Sequence, residues 1–270
     1  RSIILNLDNN STDLTRETFL AAQTTVEKRY IPTPPDIVGK GNNLLNLFHF
    51  VLASGARLGI VLDADLRSIS PQWVEWLGRP VEQGYHYVCP LYARHPLDDV
   101  ITTHICYPMM FSLLGVDIRH PLGGAFAFSR EMCASWLDQA WNDSVRKHGV
   151  DIFLTLHAVS SGLRIAQAAL GAKIHKATVP KPEAMFHQTV HTFFSYLVES
   201  RKYQISPGSE DPVPLDTASG QEAGSPQELD IDLQALKETT RTDYFKYRNL
   251  ASTYLGHYAV DRINSMMYRD

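Results

Sequence analysis

The sequence predicts an α/β fold: a mostly parallel sheet flanked by helices, with a helical extension at the C-terminus. Three observations predict it. Short apolar runs such as Ser2–Leu7, Arg57–Leu62 and Leu163–Ala169 alternate with longer helical patterns, as in a sheet built from crossover units. Two runs end in acidic turns, at Asp8 and at Asp63-Ala64-Asp65, and strand ends are where such sheets hold ligands. The 270 residues are 44% hydrophobic and 20% charged, which supports one large core and excludes wholesale disorder.

In chain order, Ser2–Leu7 is expected as a buried strand, followed by a polar turn over Asp8–Asp13 whose side chains bond their own backbone. Thr15 is placed to cap a helix reaching Arg29, with Glu17 in its first turn. Ile31–Asp36 reads as a loop. Gly39-Lys40-Gly41-Asn42 leads into a helix through Ser54, and Arg57–Leu62 is the next strand. A helix near Pro71–Leu77, a strand over Tyr85–Leu91 and a helical stretch over Asp99–Leu114, breakable at Pro108, come next. Pro121-Leu122-Gly123-Gly124 is a tight loop before a short strand at Ala125–Phe128. Helices over Arg130–Asn142 and Asp151–Ser161, strands at Leu163–Ala169 and near Lys173–His175, and a helix over Phe186–Tyr203 complete a domain over 1–204. Residues 205–230, rich in Pro, Gly, Ser and acidic side chains, read as a flexible linker or loop, and 231–270 as terminal helices.

Several function classes are disfavoured at once. A net charge of −4 without a basic stripe argues against nucleic acid. The apolar runs, such as Leu58–Leu62, fall far short of the roughly 20 residues a bilayer span needs. Cys89, Cys106 and Cys133 are odd in number and lack metal-type spacing, so a reducing, cytoplasmic setting without disulfides is expected. The chain starts at Arg1 without a signal-peptide pattern and reads as a fragment or a processed form.

Asp63-Ala64-Asp65 is the sharpest chemical feature. It follows Gly59-Ile-Val-Leu, so two carboxylates leave the end of a buried strand together. Mg²⁺ or Mn²⁺ takes such oxygen ligands and bridges to substrate phosphates. A capping pair at a strand end is the plainer reading of those two residues. The neighbouring motifs carry more. Asp8-Asn-Asn-Ser-Thr-Asp-Leu-Thr, Gly39-Lys-Gly-Asn and Val61-Leu-Asp-Ala-Asp-Leu, in that order, resemble the nucleotide-sugar half of GT-A glycosyltransferases of the family 2 type. Leu91-Tyr-Ala-Arg-His, Ile101-Thr-Thr-His-Ile-Cys-Tyr-Pro, His120-Pro-Leu-Gly-Gly, His148-Gly-Val-Asp-Ile and Leu170-Gly-Ala-Lys-Ile-His resemble the glucosyl-3-phosphoglycerate and mannosylglycerate synthase group, over about Ser2–His191.

That resemblance implies a GT-A, Rossmann-like domain and a metal-dependent transfer of a hexose from a nucleotide-diphosphate sugar to a small, anionic acceptor, with retention. It implies that Asp8, Lys40 and Asp63 bind the donor, that Asp65 and His175 hold the metal, and that Leu122, Gly123 and Gly124 line the donor sugar. Asp151 is implied as a catalytic residue, with Asp65, at the sugar end of the pocket, where it would hold donor hydroxyls or orient the acceptor; helix capping is its plainer role. Thr102 is implied as an acceptor contact. Arg94, with His95, Arg119 and His120, forms basic pairs suited to an anionic acceptor or, equally, to a solvated loop.

Two departures qualify the resemblance. Ala125 stands where the group has an acidic residue after Pro-Leu-Gly-Gly, and the first GT-A strand, with its base-binding end, is not apparent. They leave a non-catalytic nucleotide-sugar-binding module or pseudoenzyme as an alternative; a metal-dependent nucleotidyltransferase, which shares acidic metal sites and lysine-bearing phosphate loops, is another. His187 and His191 have zinc-type spacing, but Gln188 replaces the catalytic glutamate of a zinc protease. Tyr196, Tyr203, Tyr244, Phe245, Tyr247 and Tyr254 read as packing, and a homodimer through the terminal helices is a further expectation.

Overall fold

The structure is a computed structural model, and it describes residues 2–95, 97–175, 183–200, 213–214, 216–221 and 224–268. Its contacts divide the chain into two units, 1–227 and 228–270.

The first unit opens with β1 (Ile3–Asp8), α1 (Thr15–Ala21) and β2 (Glu27–Pro32); the two strands pair in parallel from Ile3 opposite Glu27 to Asp8 opposite Pro32. The helix expected through Arg29 therefore stops early. Thr24-Thr25-Val26 is a β-branched run that suits extended backbone. Lys28 closes the helix from outside, its Nζ donating to the carbonyls of Phe19 at 2.8 Å and Leu20 at 2.7 Å. Nor is Thr15 the cap: Leu14 holds that position, and Asp13 accepts from the Thr15 N–H at 3.0 Å.

The chain continues through α2 (Lys40–Ser54), β3 (Leu58–Val61), α3 (Pro71–Glu82) and β4 (Tyr87–Ala93). The expected helix over Asp99–Leu114 is wound unevenly: π-type turns at Thr102–Cys106 and Met110–Leu114 flank a short α4 (Tyr107–Met109) that contains Pro108. Then follow β5 (Val116–Asp117), β6 (Phe126–Ser129), α5 (Arg130–Leu137), α6 (Val150–Ser160), β7 (Ile165–Ala172), α7 (Glu183–Glu199), β8 (Val213–Pro214) and β9 (Thr217–Gln221).

Five strands form the main sheet in the order β3-β6-β4-β7-β9. It is mixed, because β6 runs antiparallel to both β3 and β4, while β4, β7 and β9 are mutually parallel. Two sequence readings change here. The strand expected at Lys173–His175 is a single bridge between Leu66 and His175. Within the stretch read as a linker, Thr217–Gln221 is the edge strand of the sheet, and Val213–Pro214 pairs with Val116–Asp117. Its polar composition fits an edge strand, which needs only one apolar neighbour. Residues 201–212, including Tyr203 and the start of that stretch, lie outside the described residues.

Alternation along β4 and β6 splits the core into two layers. Tyr87, Cys89, Phe126 and Phe128 face Phe48, Trp136, Leu154 and Phe193. Val88, Tyr92, Ala125 and Ala127 face Trp73, Leu77 and Val81 of α3. Each fully buried large side chain, such as Phe48 or Phe128, contributes about 1.5–3 kcal/mol.

The second unit is a pair of helices, α8 (Leu233–Tyr254) and α9 (His257–Met267). Asp232 caps the first by accepting from Ala235 N–H at 2.9 Å, and Tyr244 Oη donates to Asn264 Oδ1 at 2.6 Å. Among the described residues, no helix is long and apolar enough to cross a membrane.

Candidate functional site

The antiparallel insertion of β6 decides which residues meet. Because Val61 opposes Phe126, the chain leaving β3 at Asp63 lies beside the chain entering β6 at Gly124. Parallel β4 and β7 deliver Arg94 and Lys173 past their carboxyl ends. One rim of the sheet thus gathers residues from four distant segments.

Lys40 and Asp151 arrive from helix starts. The first turn of α2 docks on the backbone preceding α6: Gly41 N–H donates to Lys147 O at 3.1 Å, and Asn42 N–H to Arg146 O at 3.0 Å. Only glycine fits at position 41, since a Cβ there would run into the carbonyl of Val145. Lys40 Nζ lies 2.9 Å from Asp151 Oδ1, 3.0 Å from Asp151 Oδ2 and 3.1 Å from Asp63 Oδ1. Burial alone would lower the Lys40 ammonium, but Asp151 and Asp63 outweigh it and raise it above the ordinary lysine value. Burial raises the Asp151 carboxyl, against the pull of Lys40. Asp151 therefore does not cap its helix; Gly149 occupies the cap, and the carboxylate pairs with Lys40 from the first turn of α6.

Lys173, which sequence reasoning passed over in favour of His175, completes this cluster. It is 7% exposed, with Nζ 3.2 Å from the Gly123 carbonyl and 3.8 Å from Asp63 Oδ2, over the ring of Tyr92. Burial lowers its pKa, opposed by Asp63. Its signal in the sequence was a lone lysine closing an apolar strand. Tyr92 Oη donates to the same Gly123 carbonyl at 3.3 Å, and Tyr92 N–H donates to His120 Nδ1 at 3.3 Å. Burial and neighbouring cations push His120 down to about 3, so it is a neutral structural acceptor of the loop. Gly124, at φ +73°, is pressed so close to Asp63 that a Cβ would overlap the carboxylate. Leu122 packs, half-buried, against the larger core layer.

Asp65 is exposed and has no hydrogen-bond or ion-pair partner among the described residues. His175 is brought alongside by the Leu66–His175 bridge and by Arg67 N–H donating to Ile174 O at 2.8 Å. Its Nε2 is 3.5 Å from Asp98 Oδ2. Among the described residues, no three histidine, cysteine or acidic side chains cluster as a metal cage. An exposed carboxylate and a nearby imidazole nevertheless fit a cation that completes its shell with water and a donor's phosphates, as Mg²⁺ commonly does.

Two expected ligands, Arg94 and Asp8, have local work instead. Arg94 is locked: its Nε and Nη2 reach Asp98 Oδ2 at 2.9 and 2.8 Å, and Nη1 reaches Asp99 Oδ2 at 2.7 Å. Its charge is spent on these carboxylates, so it is not a free anion receptor. Asp8 is 6% exposed and accepts from Ser11 N–H at 2.7 Å, Ser11 Oγ at 2.5 Å and Tyr30 Oη at 2.7 Å, which pins the turn after β1. Burial opposes ionisation of Asp8, but these donors win and hold its pKa below the ordinary carboxylate value. The turn is tied to the site only indirectly, through Gly39 N–H donating to Asn9 Oδ1 at 3.0 Å. Thr102 is 1% exposed, and among the described residues its hydroxyl has no hydrogen-bond partner. A concavity of about 260 Å³, lined by Trp73, Trp76, Leu170 and Gln221 among others, includes none of the charged rim residues.

No protein-family model matches the sequence. Glucosyl-3-phosphoglycerate synthase of Mycolicibacterium paratuberculosis is 30% identical over 215 residues, covering 71% of this chain and 62% of the relative. The Mycobacterium tuberculosis enzyme of that name is 28% identical over 214 residues, covering 71% of this chain and 63% of the relative. The chain thus spans less than two thirds of the length of the curated relatives it matches. Among solved structures, glucosyl-3-phosphoglycerate synthase from Mycobacterium tuberculosis in complex with Mn²⁺, UDP-glucose and phosphoglyceric acid aligns with a TM-score of 0.54 and 25% identity, over 72% of this chain and 67% of that one. The same enzyme with Mg²⁺ and UDP aligns with a TM-score of 0.56 and 25% identity, over 72% and 66%. Taken with the central sheet and its flanking helices, these likenesses show that the chain has a GT-A fold and resembles the glucosyl-3-phosphoglycerate synthases.

Proposed function

We propose that this chain is a metal-dependent glycosyltransferase that moves a hexose from a nucleotide-diphosphate sugar to a small anionic acceptor, with retention. One observation supports it above the rest. Lys40 and Lys173 flank Asp63 at the sheet rim where the exposed Asp65 also emerges. The Mycobacterium tuberculosis enzyme named above is solved with Mn²⁺, UDP-glucose and phosphoglyceric acid, and separately with Mg²⁺ and UDP.

In this reading Asp65 and His175 hold Mg²⁺ or Mn²⁺, which offsets the charge of the leaving diphosphate when bound. Lys40 and Lys173 add fixed positive charge at the same rim, preorganised by Asp63, Asp151 and the Gly123 carbonyl. Asp63 and the loop Leu122-Gly123-Gly124 bound the donor side. Asp151 holds Lys40 and, through it, Asp63. Thr102, with its unused buried hydroxyl, remains the acceptor-side candidate. Asp8 supports the donor side through its turn. The protein works in the cytoplasm, without nucleic acid, and as a homodimer.

The test is Asp65→Ala. The side chain is exposed and has no partner among the described residues, so the melting temperature stays within a degree or two of the parent. Mn²⁺-dependent turnover of UDP-glucose with 3-phosphoglycerate disappears. Full turnover in this variant removes the assignment.

A further inference from the structure

The loop after β4 ends in a chain of charges that reaches His175. Arg94 grips Asp98 through two nitrogens and Asp99 through the third, and all three side chains are largely buried. Asp98 N–H also donates to His95 O at 2.9 Å, so backbone and side chain of Asp98 are both fixed. Its Oδ2 then meets His175 Nε2 at 3.5 Å. The arrangement is directional: an arginine orients a carboxylate, and the carboxylate faces one ring nitrogen of a histidine whose Nδ1 has no hydrogen-bond partner among the described residues.

We infer that Asp98 is a positioning residue for His175, fixing the ring and its tautomer so that the imidazole binds a divalent cation, with Arg94 and Asp99 holding Asp98 in place. This rests on the reading of Asp65 and His175 as cation ligands. The chemistry is general. A ligating imidazole that donates its second N–H to a carboxylate is fixed in orientation and made more basic. A proton on Nε2, donated to Asp98, leaves the Nδ1 lone pair for the ion. The same geometry gives Arg94 a purpose that a free anion receptor would not have.

The experiment measures Mn²⁺ binding by calorimetry, with and without UDP, on the full chain. Asp98→Asn keeps an acceptor for Arg94 while removing the charge, and circular dichroism checks the fold. We expect Mn²⁺ affinity to fall about 10- to 100-fold, and Asp98→Glu to recover part of it. In a His175→Ala background, Asp98→Asn should cost nothing further. Unchanged or tighter Mn²⁺ binding in folded Asp98→Asn overturns the inference. So does an equal loss in the His175→Ala background, which would make Asp98 act on the ion without the histidine. Asp65→Ala is run alongside: if it leaves Mn²⁺ affinity intact, the cation reading itself fails, whereas loss in Asp65→Ala with none in Asp98→Asn fails the positioning role alone.

Discussion

Lys40 and Asp151 stand 111 positions apart in the chain, yet the ammonium of one lies 2.9 and 3.0 Å from the two carboxylate oxygens of the other. The contact exists because α2 begins on the backbone that leads into α6. Lys40 also reaches Asp63, so it is the charge that lets two acidic side chains share one rim. Lys40→Met removes it and leaves both carboxylates facing each other. The expected loss is about 3 kcal/mol, at the low end for breaking a buried pair because the groups keep some solvent. In a thermal melt of a unit this size that is a drop of roughly 6–12 °C. Adding Asp151→Asn restores part of it. The parent's share of stability from Lys40 is present below the ordinary lysine pKa of 10.5 and is lost as pH rises through the raised folded value. Lys40→Met lacks that alkaline loss.

Gly124 is held by two constraints that can be separated. Its φ of +73° disfavours any side chain, and a Cβ would collide with Asp63. Gly55 has nearly the same φ, +72°, but open space around it. Gly55→Ala therefore reports the backbone cost alone, about 1 kcal/mol. Gly124→Ala adds the displacement of Asp63. It should melt well below Gly55→Ala and should weaken UDP binding in calorimetry, which Gly55→Ala should not. Equal melting temperatures for the two variants would show that Asp63 gives way freely.

Much of this rim could be read from the sequence, and the parts that could not share a cause. Asp63, Lys40 and Gly124 announce themselves because each sits where an apolar run meets a glycine or an acid. What they do together depends on β6 running antiparallel between β3 and β4, and alternation of apolar residues carries no strand direction. Lys173 does not stand out, because a single lysine after an apolar strand looks like a solvated end; burial under Tyr92 and Gly123 is a tertiary fact. Arg94 reads as one of a basic pair facing an acceptor or solvent, because its pairing with Asp98 and Asp99 needs a loop that folds back on its own strand. The start of β2, Glu27–Arg29, reads as helix because its charged residues resemble an exposed helical face, and its end reads as loop. Thr217–Gln221 was read as linker since an edge strand need not be apolar.

Lys173 offers a case where stability and binding should part. Its ammonium is buried, and burial lowers its pKa against the attraction of Asp63. The Lys173 charge carries its own desolvation cost, and its carboxylate partner, 3.8 Å away, is not left unpaired when it goes. Tyr92 Oη continues to satisfy the Gly123 carbonyl. Lys173→Met is therefore expected to melt within about 1 kcal/mol of the parent, since Asp63 retains Lys40. Calorimetry should nevertheless show UDP affinity down by tenfold or more, because fixed positive charge is missing where a diphosphate would lie. Undiminished UDP affinity would place the diphosphate away from this lysine.

The turn after β1 sets an acid limit on stability that a single oxygen-to-nitrogen exchange should move. Asp8 is held below the ordinary carboxylate pKa of 3.8: burial raises it, and the donors from Ser11 and Tyr30 lower it further than burial raises it. A depressed folded pKa contributes stability that is present above the unfolded value and is lost as pH falls through the folded one. The parent should thus lose part of its stability below about pH 4. Asp8→Asn cannot accept from both Ser11 and Tyr30 in the same way, and should be less stable by about 1–3 kcal/mol at neutral pH. Its stability should then fall less steeply between pH 4 and pH 2. The limb does not vanish, because Asp98 is depressed as well, by Arg94 and then His175 against its own burial. Tyr30→Phe removes one of the donors to Asp8 and should lie between the two curves. Denaturant titrations at a series of pH values read all three directly, and parallel acid limbs in parent and Asp8→Asn would deny Asp8 this role.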